Sequence, residues 1–212
     1  MGWFGRKREE EEQAAFRARV EEARRELDDA ETLFEWARLE DWADHVDGVV
    51  LAPGERAHLV GQGALAAEPM PGASRLTSYS RDPALLPSII ESVTVGRITP
   101  GEEEFQVVAK GTLVITDRRV LFLGDRRTFE WTHGEVVGLT FGDEGCIVHL
   151  TGREKPIAIG YGQRASVPAE GVLTALVARA QGTEAHAALL RRLEQQVDAA
   201  EGVLATLADQ AG

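Results

Sequence analysis

Proline placement is the strongest constraint on what this chain can fold into. All eight prolines fall between Pro53 and Pro168, and residues 6–47 contain neither proline nor glycine. Residues 183–211 contain one glycine, Gly202, and no proline. Both residue types punctuate regular helices, so a turn-rich centre sits between two helix-permissive ends. With 43% hydrophobic residues among 212, the chain can bury one real core. Its apolar runs are only a few residues long, far from the roughly 20 that span a bilayer. A single cysteine, Cys146, cannot close an internal disulfide, and five scattered histidines do not make a zinc module.

The first end carries a clean helical period. Phe16, Val20, Ala23, Leu27, Ala30, Phe34 and Ala37 recur at spacings of four and three, with Glu and Arg on the flanks. A helix from Glu9 to Ala43 would be about 50 Å long. The last thirty residues repeat the theme with Leu189, Leu193, Val197, Ala200, Leu204 and Leu207. Alanines in these seams bury little area, so either helix alone is marginal in water and needs a partner. Three arrangements satisfy the seams equally: pairing within one chain, lying on the central domain, or joining two copies. Expected units are therefore 1–45, a long coiled-coil-like helix; 46–182, a β domain; and 183–212, a second amphipathic helix.

The centre reads as short strands. A run ERAHLVGQGALAA follows the Pro53–Gly54 turn, then apolar alternation near Val93 and Val95, then Phe105 and Val107. GTLVIT and RVLFLG flank Asp117–Arg118, a hairpin signal. TFEW, EVVGLTF, CIVHL and PIAIGY follow, separated by glycine-containing turns. Strands that do not alternate with helices predict antiparallel pairing, an α+β chain with a β-sandwich or barrel. About seven strands are expected in 54–165, and a helix over 167–180 opening with Pro168 in its first turn.

That order resembles the pleckstrin-homology-like (PH-like) fold, in particular GRAM domains and bacterial PH-like domains, over residues 54–182. The stretch that carries the likeness is Gly111-Thr112-Leu113, then Thr116-Asp117-Arg118-Arg119 and Val120-Leu121-Phe122. Phe129-Glu130-Trp131 and Glu135-Val136-Val137-Gly138-Leu139 are similar to the two following strands. The resemblance implies a C-terminal capping helix and a non-catalytic recognition role. Two features depart from it: a long proline-containing segment at 68–91, and few cations there, only Arg75 and Arg81.

Chemistry-bearing patterns are sparse. Gly61-Gln62-Gly63-Ala64-Leu65-Ala66 fits the letters of a dinucleotide fingerprint, but Pro69 and Pro71 stop the helix such a site needs. Glycines relieving a curved strand explain it better. His45 among Asp41, Asp44 and Asp47 reads as a solvated helix end. No Ser, Cys or His stands in a nucleophile–base arrangement, so no enzyme activity and no cofactor or metal is expected. The candidate ligand or lipid-headgroup residues are Lys110, Arg118, Arg119, Arg126 and Arg127, at the two ends of one predicted strand, about 20 Å apart. Pairing with the chain's own acids, Asp117, Asp125 and residues 102–104, competes with any ligand. Interaction through the helix seams would use Phe16, Val20, Leu27, Phe34, Leu189, Leu193, Val197 and Leu204.

A net charge of −12 opposes nucleic acid and weakens attraction to an anionic membrane. Trp3 and Phe4 beside Arg6, Lys7 and Arg8 make a basic-aromatic tip next to four glutamates, too weak to anchor alone. The start lacks the apolar stretch of a secretory signal, and the expected compartment is the cytoplasm. The sequence therefore predicts a PH-like adaptor or scaffold that binds protein partners and self-associates through its ends. The alternative is a peripheral membrane protein that holds anionic headgroups. LVI and VLFLG are apolar on both strand faces, so the outer face of their hairpin should lie under the terminal helices or a partner.

Overall fold

The computed structural model describes residues 2–69, 94–97 and 105–211, with the backbone alone at 2–10 and 94–97. Most of the proline-containing 68–91 segment, Arg75 and Arg81 included, and the acidic residues 102–104 lie outside the described residues.

Helix α1 spans Gly2–Ala37, and β1 spans Ala57–Pro69. Strand β2 (Thr94–Arg97) is followed by β3 (Phe105–Thr116), β4 (Arg119–Gly124) and β5 (Thr128–Thr132). A 3₁₀ turn at His133–Glu135 leads to β6 (Val136–Gly142), β7 (Gly145–Leu150) and β8 (Ile157–Gly160). Helices α2 (Ser166–Gln181) and α3 (Thr183–Asp209) complete an α+β chain. All strands join one sheet in the order β2-β6-β7-β8-β1-β3-β4-β5. Seven of them pair antiparallel; β2 alone pairs in parallel, along β6.

The sequence suggests separate strands before and after Gly111, whereas β3 runs through it unbroken. Strand β1 joins the two halves of the sheet: it pairs with β3 along its length and with β8 at Leu65, Ala66 and Ala67. A bulge between Gln62 and Ala64 bends it there, and Gly63 takes the left-handed conformation (φ 73°) that the bulge requires. This is what Gly63, the second glycine of the dinucleotide-like pattern, does.

Helix α1 stops at Ala37, six residues short of the expected Ala43. Leu39 is left-handed (φ 58°), and Ala43 exchanges both backbone hydrogen bonds with Ala57, at 2.7 and 2.9 Å. Pairing with the start of β1 thus claims residues the helical pattern would have continued. Glu40, Asp41 and Asp44 would also have met the negative end of the helix dipole.

Helix α2 is buried along ten consecutive residues, from Ala169 through Ala178. The stretch is apolar apart from Glu170 and Thr174, and a helix buried on all sides belongs between layers. The core joins the inward faces of the strands, through Leu113, Ile115, Phe122, Phe141 and Ile159, to α2 through Val172, Leu173 and Leu176. Across α2 lies α1: a Cβ at Gly171 would sit 2.8 Å from the Leu33 carbonyl oxygen, so only glycine admits this backbone approach. Helix α3 begins where α1 ends, with His186 Nε2 bonded to the Ala37 carbonyl at 2.9 Å, and the two helices run back along each other.

The outer face of the β3–β4 hairpin is covered, but not by the terminal helices. Val114 and Leu121 are buried with Val46 and Ala57, and Val49 and Leu51 pack on them. The cover is the link between α1 and β1, whose apolar residues are too few and irregular to announce a layer. No described helix is long and apolar enough to cross a membrane.

Candidate functional site

The arginines singled out in the sequence meet different fates. At the β3–β4 turn, Arg119 reaches back to Glu55, with Nε 2.8 Å from Oε1 and Nη2 2.9 Å from Oε2, while Nη1 bonds Glu130 at 2.8 Å. The Glu55 side chain is fully enclosed. Its carboxylate also accepts the Ala52 N–H at 2.7 Å and the Thr116 hydroxyl at 2.7 Å. Burial pushes this carboxyl up, but the bonds from Arg119, Ala52 and Thr116 outweigh it and hold the pKa at about 2. Hydrogen bonds to Glu55 and then Glu130 raise that of Arg119.

At the far end of β4, Arg127 bonds Glu68 at 2.9 Å, and Arg153 takes the other oxygen of the same carboxylate at 3.0 Å. Lys110 and Arg126 are exposed. The acids that neutralise these arginines are therefore Glu55, Glu130 and Glu68. Asp117 instead accepts the Arg56 N–H at 3.0 Å, and Asp125 the Lys110 N–H at 3.0 Å, so both shape turns. His45 bonds Asp47 at the surface, and no group of three metal-ligating side chains converges among the described residues.

Arg118 differs from its neighbour. It is exposed, tethered through Nη2 to the Pro53 carbonyl at 3.1 Å, and lines a cleft of about 230 Å³. The other walls are Asp117, the Thr132–His133–Gly134 turn, and Leu176, Arg179 and Ala180 from the end of α2. His133 is 5% exposed. Its Nε2 donates to the Thr116 carbonyl at 2.8 Å, and its Nδ1 has no hydrogen-bond partner among the described residues. Burial lowers its pKa, against a smaller raising effect of the Thr116 bond and of Asp117. Arg179 is invisible as a site residue in the sequence, one arginine near the end of a helix 61 positions from Arg118.

The helix seams are unevenly buried. Ala37, Leu189 and Leu193 are buried at the base of the α1–α3 pair, as are Ala23 further along and Leu207 near the end of α3. Phe16, Val20, Leu27, Phe34, Val197 and Leu204 are half-buried. Phe34 packs against the main core, whereas Val203 on α3 is 51% exposed. Cys146 is buried, and burial pushes its thiol up to about 12, which leaves it protonated and unreactive near neutral pH.

The chain matches no family model, no curated protein and no solved structure.

Proposed function

We propose that the chain is a non-catalytic PH-like interaction module, a protein-binding adaptor or scaffold that self-associates through its terminal helices. The PH-like part is supported by the strand order. Read from β5 through β4, β3, β1, β8 and β7 to β6, two antiparallel meanders meet where the first strand touches the last, and α2 closes the core. Such a sheet hosts many functions, so the functional reading rests on the helices.

The observation that carries it is the set of half-buried residues, Phe16, Val20, Val197 and Leu204, that stand beside the buried Ala23 and Leu207 in the outer part of the α1–α3 seam. Helix α2, of 16 residues, supports the base of the pair; α1 and α3, of 36 and 27 residues, extend well beyond it. Two helices alone cannot enclose both apolar stripes, so Phe16, Val20, Val197 and Leu204 keep partly open flanks. A further helix, from a second copy or a partner, completes the burial. The alternative, a lipid-binding role for the hairpin ends, draws less support because Arg119 and Arg127 are both engaged by the chain's own carboxylates.

Sedimentation velocity over a concentration series tests the reading. The intact chain should associate reversibly, and Phe16→Asp with Val20→Asp should abolish association while circular dichroism retains the helical signal. An intact chain that sediments as a monomer at every concentration removes self-association from the proposal.

A further inference from the structure

Residues paired directly across neighbouring strands point to the same face of a sheet. One row of such partners crosses this one: Thr140 in β6, Ile147 in β7, Ala158 in β8, Ala67 in β1 and Val107 in β3. The adjacent row, Phe141, Cys146, Ile159 and Ala66, lies in the main core with α2. The row through Ile147 therefore faces away from the helices. Its burial changes from one end to the other. Val107 is 52% exposed, whereas Ile147 is 3% exposed and Thr140 is buried as well.

An antiparallel sheet face left open to water keeps its side chains wet. Something must therefore lie on β6 and β7, yet Ile147 belongs to neither core cluster of the described residues. The link over Val114 and Leu121 covers β3 and β4, on the other side of the sheet order. His149, opposite Gly138 in the next row, is half-buried, and burial lowers its pKa.

We infer that the outer face of β6 and β7 is a docking surface for the chain's own segment 70–93, with Leu85, Leu86, Ile89, Ile90 and Val93 set against Ile147. The ends of the segment place it there. It leaves β1 at Pro69 and enters β2 at Thr94, which pairs with Gly138 of β6. The two strands stand four strand spacings apart in the sheet, about 19 Å. The 24 residues between them can extend about 80 Å, so most of the segment is surplus to the crossing. The inner face is already filled by α2, which leaves the outer one.

Composition selects the part that docks. Residues 85–93 hold five large apolar side chains and adjoin β2 directly. Nine residues reach about 30 Å, and Ile147 lies two strand spacings from β2, about 10 Å. Residues 98–104, which return from β2 to β3, hold one large apolar residue, Ile98, and three glutamates, a poor match for an apolar face.

This surface is separate from the α1–α3 seam, so either inference can fail without the other. The test uses the full chain with isotope-labelled isoleucine, leucine and valine methyl groups. Nuclear Overhauser contacts are expected from the Ile147 methyls to one or more of Leu85, Leu86, Ile89, Ile90 and Val93. Ile147 should also be protected from a soluble paramagnetic agent that reaches Val107. Leu86→Asp with Ile90→Asp should remove that protection and leave Val107 unchanged. An Ile147 as accessible as Val107 in the intact chain shows an open face and overturns the inference. A protected Ile147 that contacts another element, or a second copy in a mixed-label sample, assigns a different occupant and overturns it too. Protection that survives in the folded double variant does the same. If the double variant fails to fold, the contacts in the intact chain decide.

Discussion

Arg119 grips Glu55 at two points, Nε to Oε1 at 2.8 Å and Nη2 to Oε2 at 2.9 Å, although the residues are 64 positions apart. The carboxylate is fully enclosed and the guanidinium only partly exposed, so this is not a surface ion pair. Burying the charge costs several kcal/mol, and every bond it receives is needed to offset that. The pair ties the α1–β1 link to the β3–β4 turn.

Removing one partner strands the other. Arg119→Ala should lower stability by about 3–5 kcal/mol, because a buried carboxylate loses its counter-charge. The double change Arg119→Met with Glu55→Met should recover much of the loss. Urea denaturation checks both, and a loss below about 1 kcal/mol for Arg119→Ala would mean the pair acts like an exposed one. The folded-state pKa of Glu55, about 2, lies below its ordinary 4.5. Its contribution, about 3 kcal/mol by linkage, is present in full above pH 4.5 and lost as pH falls through about 2.

His133 should act in a higher window. Its folded-state pKa is lowered chiefly by burial, so the neutral ring is favoured in the folded state. Stability associated with it is complete above its ordinary pKa of 6.5 and declines as pH falls below that, toward and through the folded value. The groups acting on it are Asp117 and the Thr116 carbonyl, which raise its pKa, and His58, which lowers it. His133→Gln, with an amide nitrogen to reach Thr116, should flatten the fall in melting temperature between pH 7 and pH 5. His149, also lowered by burial, leaves a residual slope of the same sign. An unchanged slope in His133→Gln would count against this assignment.

Val46 should matter as much as a core residue although it lies in a link without helix or strand. It is 6% exposed and covers Val114 and Leu121. Val46→Asp buries a charge against that face and should cost about 3 kcal/mol or more, with increased binding of a hydrophobic dye. Retained stability without dye binding would show that the link does not seal the hairpin.

Legibility in the sequence follows the range of the interactions involved. The strands from β3 to β8 announce themselves because turn residues and apolar runs act within a few positions, and only the break at Gly111 misleads. That glycine faces Gly124, where a Cβ would meet the Leu123 carbonyl oxygen, so it marks a close strand approach and not a turn. The end of α1 was hidden because Ala43 is claimed by Ala57, a partner outside any helical window. The cover over Val114 was hidden for a similar reason: Val46, Val49 and Leu51 have no period.

The sequence alone determined the local alphabet: a heptad-like seam from Phe16 to Ala37, short strands between glycine-containing turns, and a helix beginning near Pro168. Periodicity and turn chemistry are properties of neighbours along the chain, and they survive without a fold. Only the tertiary structure decided what the charges do. It enclosed Glu55 against Arg119 and gave Glu68 to Arg127 and Arg153. It left Arg118 to share a cleft with Arg179, from the far side of the sequence. Whether an arginine is neutralised or presented depends on which carboxylates lie within about 4 Å, and that distance is set by the packing of sheet, link and helix.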